Sequence, residues 1–129
     1  MEKEFVPYTE ALALKELGFN EPCLAIYYSK DLSFSWHHHI DHTNDEPALE
    51  SGEFNISAPI YSAAFRWFRD VHKLWAYQIP WSGNMYAMTI YRLIEDSETV
   101  KTIQDRVIMN TWEEAELACL KKLIEIVKK

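Results

Sequence analysis

The sequence predicts an α+β fold: an antiparallel sheet with about three helices packed mainly on one face. Three observations lead there. Three stretches carry apolar residues at helical spacing with recognisable end signals, and the stretches between them are short, rich in β-branched and aromatic residues and punctuated by turn residues. The resulting order, α-β-β-(β)-α-β-β-β-α, is best satisfied by an antiparallel sheet covered by helices.

The first helix is expected after Pro7, with Thr9 as N-cap and Leu12, Leu14 and Leu17 as apolar contacts. Gly18 stands where a left-handed residue ends a helix, Phe19 is placed to pack back on Leu14, and Pro22 blocks continuation. "CLAIYYS", from Cys23 to Ser29, reads as a mostly buried strand. "LSFSWHHHI" then alternates Leu32, Phe34, Trp36, His38 and Ile40 against Ser33, Ser35, His37 and His39, so the two strands form a hairpin around Ser29 to Asp31. A short strand at Phe54 to Ser57 follows a polar loop.

Pro59 introduces the second helix, "IYSAAFRWFRDVHKL", with Ile60, Ala64, Trp67, Phe68, Val71 and Trp75 at helical spacing. The next stretch, "LWAYQIPWSGNMYAMTIY" from Leu74 to Tyr91, contains no charge over about the length of a membrane-spanning helix. Pro80, Ser82, Gly83 and Asn84 break it in the middle, so it reads as two strands and a turn rather than a span. Its second strand runs about Met85 to Ile94, and a last strand lies within Thr99 to Met109. The C-terminal helix starts at a capping box, Thr111 and Glu114. Glu113, Glu114 and Glu116 suit its N-terminal end and the lysines its C-terminal end, while Leu117, Leu120, Leu123, Ile124 and Val127 form its apolar face.

A length of 129 residues fits one domain, so residues 1–129 are expected to form a single domain with a polar, acidic, histidine-containing loop around 41–53. The apolar share of 48% and charged share of 26% exclude a disordered or fibrous chain, while 14% aromatic is high. The first residues, "MEKEFVPYTE", contain no apolar signal core, and Cys23 and Cys119 lie far apart. Together these predict a cytoplasmic protein whose cysteines act as small buried hydrophobes. The net charge of −7 is local. Between Lys30 and Arg66 there is no Lys or Arg, whereas Asp31, Asp41, Asp45, Glu46, Glu50 and Glu53 lie there.

Two stretches, "EFVPYTEALALKELGFNEPCLAIYY" and "APIYSAAFRWFRDVHKL", together with "TWEEAELACLKKLIEIVKK", resemble a group of small uncharacterised proteins of Bacteroidetes and their phages and prophages. Those proteins share an F-V-P-Y start, an E-P-C step, an A-P-x-Y-x-x-A-F-R-W-F-R helix and an E-E-A-E-L-A-C-L-K-K-L-I-E-I end. The resemblance covers about half of the chain. It implies a bacterial or phage origin and a module that folds alone, and it carries no activity.

The histidine stretch, "WHHHIDH", raises a metal reading. On a strand, His37, His39 and Asp41 share a face, so two imidazoles and a carboxylate can meet one divalent ion. Against this, no Cys pair lies near and the spacing matches no known ligand motif, so a solvated strand end and loop explains the stretch better. The same patch also reads as a pH-responsive surface, because carboxylates beside imidazoles favour the charged ring. No G-x-S-x-G, P-loop or dinucleotide fingerprint is present, and three glycines leave little to cradle a phosphate. No catalytic constellation and no cofactor is therefore expected beyond a possible divalent metal. Nucleic acid is not an expected partner, because no basic stripe exists, and neither is a membrane.

Two regions read as interaction surfaces. One is the uncharged aromatic hairpin with Trp75, Tyr77, Trp81 and Tyr86; the other is the acidic patch of Asp45, Glu46 and Glu50. One face of the hairpin must cover helices, and only aromatics left on the other face are free to bind. The expected function is a small non-catalytic protein-binding module whose partner is another protein or a second copy of itself. The alternative is a divalent-metal-binding protein or metal-dependent enzyme using residues 37–42.

Overall fold

A computed structural model describes residues 4–23, 25–28, 31–34, 55–93 and 100–128. Their elements are α1 (Tyr8–Glu16), β1 (Ala25–Tyr28), β2 (Asp31–Phe34), β3 (Asn55–Ala58), α2 (Tyr61–His72), β4 (Leu74–Pro80), β5 (Tyr86–Leu93), β6 (Val100–Met109) and α3 (Trp112–Lys128). The α+β class and the antiparallel pairing agree with the sequence reading. Among the described residues the strands divide into two sheets, ordered β2-β1-β3 and β4-β5-β6. β4, β5 and β6 lie in the sheet in chain order, whereas β3 returns to pair with β1 on the side away from β2. The chain correspondingly clusters into two compact units, residues 1–61 and 62–129.

In the first unit, β1 is the central strand, pairing Tyr28 with Asp31 of β2 on one side and with Asn55 of β3 on the other. Ala25, Ile26 and Tyr27 are all buried, as a central strand requires. The N-terminal segment runs beside the end of β3: the Val6 N–H donates to the Pro59 carbonyl over 2.8 Å, and Phe5 bridges Ile60. The Tyr27 hydroxyl donates to the Val6 carbonyl at 2.8 Å and its ring meets Tyr8 edge-on. A buried phenol is thereby satisfied at its polar end.

Helix α1 begins two residues earlier than Thr9 predicts. Its N-cap is Pro7, without a side-chain cap, because the fixed φ of proline starts the helix and its missing N–H needs no partner. Thr9 therefore lies inside the first turn. The other end closes as expected. Gly18 sits at φ +97°, its N–H donates to Lys15 O at 3.1 Å, and the Phe19 N–H donates to Leu14 O at 2.9 Å, which is the Schellman pattern. Phe19 and Leu14 are both buried.

In the second unit, β4, β5 and β6 form a meander. β4 pairs with β5 in unbroken register from Leu74↔Arg92 to Pro80↔Tyr86. The turn at 81–85 closes with the Trp81 N–H donating to Met85 O at 2.8 Å, and Gly83 supplies the positive φ of +73°. Helix α3 packs on this sheet. Thr111 caps it as predicted, its Oγ1 accepting from the Glu114 N–H at 3.1 Å. The return contact is displaced by one residue, since the Glu114 carboxylate accepts from the Asn110 N–H at 3.4 Å and not from that of Thr111.

Helix α2 ends sooner than its apolar spacing predicts. Lys73 takes a left-handed conformation at φ +56° and β4 starts at the next residue, so Trp75 belongs to a strand and not to the helix. Val71, expected in the core, is 54% exposed, whereas Ala64, Trp67 and Phe68 are buried. Ile60, also expected on the helical face, precedes the helix and is exposed.

Candidate interaction surface

The two faces of the second sheet differ in what they meet. Along β4, side chains alternate, so Leu74, Ala76 and Gln78 lie on one face and Trp75, Tyr77 and Ile79 on the other. Two contacts locate α3 on the first of these: the Cys119 thiol lies against the Gln78 side chain, and the Trp112 ring meets Tyr86, the register partner of Pro80, with centroids 5.6 Å apart. Leu74, Met88, Ile90, Cys119, Leu120 and Leu123 are buried in this layer.

The opposite face carries exposed apolar residues on its outer strands, while Ala87 and Thr89 of the central strand are buried there. Tyr77 is 49% exposed, Ile79 43% and Ile108 46%. The register sets Ile79 beside Ala87 and Ala87 beside Ile108, so two bulky side chains on the outer strands flank a small one on the central strand. Tyr77 continues the row along β4 and meets Tyr91 edge-on, with centroids 5.9 Å apart. No residue from Leu74 to Tyr91 carries a charge. Large exposed side chains are ordinary when scattered, but contiguous uncharged ones on a sheet face mark sites where another surface binds.

The residues singled out from sequence therefore separate. Trp75 and Tyr77 lie on the open face, with Trp75 half-buried. Tyr86 lies on the α3 face against Trp112, and Trp81 is half-buried in the connection after β4. Ile79 and Ile108 were not singled out, although the alternation that exposes Tyr77 also exposes Ile79. Ile108 joins them only through the pairing of β6 with β5, which no local pattern reveals. His37, His39, Asp41, Asp45, Glu46 and Glu50 lie outside the described residues. Among the described residues no group of three or more His, Cys, Asp or Glu side chains is arranged to hold a metal ion. No helix among them is long and apolar enough to cross a membrane.

Two titratable side chains in this unit are shifted by their surroundings. His72, the last residue of α2, stacks edge-on against Trp67 at 4.9 Å and lies 5.9 Å from Phe68. Burial lowers its pKa and the Arg92 guanidinium lowers it further. Its Nε2 is buried with no hydrogen-bond partner among the described residues. Packing on two aromatic rings favours the neutral imidazole. Cys119 is fully buried, and burial pushes its thiol up to about 11, with Gln78 opposing the rise and Glu116 adding to it. It is a packing residue, because a nucleophilic cysteine needs a lowered pKa and access.

Charge is also divided between the units. Residues 1–61 contain three lysines and eleven acids, a net −8, whereas residues 62–129 contain ten basic and nine acidic residues, a net +1. The open apolar face thus belongs to a nearly neutral unit. Comparison with protein-family models, with curated proteins and with solved structures finds no match to this chain.

Proposed function

We propose that this chain is a small non-catalytic protein-binding module of bacterial or phage origin, acting in the cytoplasm. The observation that carries the reading is the sheet face on which Tyr77, Ile79 and Ile108 stay exposed, with no charge from Leu74 to Tyr91, while the opposite face is covered by α3. Burying such residues against a partner is favourable by about 25 cal/mol per Å² of apolar surface. Aromatic anchors in such a patch commonly supply most of the binding energy.

The test is affinity capture from the source bacterium with two baits, the wild type and a Tyr77→Lys/Ile108→Lys variant with matched circular dichroism and melting temperature. The expected result is at least one protein, untagged copies of the chain included, retained by the wild type and lost by the variant. Equal recovery on both baits refutes the reading.

A further inference from the structure

The two outer strands of the second sheet are unlike each other. Among the described residues β4 and β6 form its edges. An edge strand presents unpaired N–H and C=O groups, and proteins blunt such edges with charges, bulges or prolines. β6 has both of the first two: its register with β5 shifts twice, between Met88 and Ile90 and between Ile90 and Tyr91, and its sequence includes Lys101, Asp105 and Arg106. β4 has neither. Its seven rungs with β5 are regular, none of its residues is charged, and only Pro80 at the last position interrupts its donors. Among the described residues the outer side of β4 makes no backbone hydrogen bond.

We propose that β4 pairs with β4 of a second copy of this chain, antiparallel about Tyr77, to join two three-stranded sheets into one of six strands. The inference rests on the protein-binding reading and names its partner. Two arguments select a second copy. Symmetric pairing about Tyr77 sets Tyr77 opposite itself, Trp75 opposite the partner's Ile79, and Ala76 opposite the partner's Gln78, so paired residues share a face and no charge is placed opposite a like charge. The pairing strand is also free of charge in a chain of net −7. Two copies of an acidic protein approach most readily where acidic charge is balanced, and residues 62–129, at a net +1, meet that condition. A charged foreign strand would find no counter-charge along β4, whereas the strand itself is complementary in register and polarity.

Sedimentation velocity on the full chain, from low micromolar to several hundred micromolar, tests this. The expected result is a concentration-dependent dimer that Tyr77→Lys and, separately, Ile79→Lys each weaken at least tenfold with unchanged circular dichroism. Tyr77→Cys is expected to form a covalent dimer under mild oxidation, since its equivalents face each other across the two-fold axis, while Ile108→Cys on β6 is not; the native Cys23 and Cys119 are buried. A wild type that stays monomeric throughout overturns the inference, as does a dimer indifferent to both lysine variants or equal cross-linking at Tyr77→Cys and Ile108→Cys. A monomer whose capture of another protein still depends on Tyr77 and Ile108 removes the second copy as partner and leaves the binding reading standing.

Discussion

Glycine at position 73 is expected to make the protein more stable than alanine there, although alanine is the better helix former. Lys73 ends α2 at φ +56°, where a Cβ crowds the following carbonyl and costs about 1–2 kcal/mol. Glycine removes that cost but surrenders about 0.5–1 kcal/mol through its greater freedom in the unfolded chain. The lysine offsets part of its strain through Nζ, which donates to the Asp70 carbonyl at 2.9 Å on the surface, a bond contributing about 0.5 kcal/mol. Lys73→Ala loses that bond and keeps the Cβ; Lys73→Gly loses both. The difference between the two variants therefore isolates the backbone, and it should favour glycine by roughly 0.5–1 kcal/mol. With a urea slope of about 1–3 kcal/mol per molar, the glycine variant should unfold at a midpoint higher by roughly half a molar. A glycine variant no more stable than the alanine one, at equal slopes, would show that the end of α2 is not left-handed.

Two further predictions concern protonation. His72 has a lowered folded pKa, so below the ordinary value of 6.5 the unfolded chain binds more protons than the folded one; the stabilisation is complete above 6.5 and is lost as pH falls through that value toward the folded pKa. The stability of wild type relative to His72→Phe should fall with pH in that window and be flat above it, and parallel profiles would refute the neutral, buried ring. Cys119 has a folded pKa raised from 9.0 to about 11, so the unfolded thiol ionises first and stability relative to Cys119→Ala should decline as pH rises through that interval. At pH 8 an aromatic disulfide reagent should label it only as fast as the chain unfolds, and rapid labelling of the native protein would contradict its burial.

What was legible in the sequence follows from where the determining chemistry lies. The end of α1 is set by Gly18 and Phe19 and the start of α3 by Thr111, all local residues with strong conformational preferences, and the structure has them as read. The end of α2 is set by a lysine in a conformation lysine does not advertise. With no glycine to stop it, the apolar spacing runs on to Trp75, because an i, i+4 series and the first apolar residues of a following strand look alike over one turn. The start of α1 misled for a related reason, since Pro7 caps by its ring and Thr9 merely resembles a cap. Alternation along β4 separates Trp75 and Tyr77 from Gln78, but only the position of α3 decides which set is covered. Hence the open face could be narrowed to two sets of side chains from the sequence and chosen only from the fold.

The division of charge separates two ways of meeting a partner that the sequence presents side by side. Asp45, Glu46 and Glu50 belong to the unit that holds the whole acidic excess, and recognition through them would act at long range and be screened within about 8–10 Å at physiological salt. Tyr77, Ile79 and Ile108 belong to a unit whose charge nearly cancels, and recognition through them would depend on displaced water and strand pairing, neither of which salt screens.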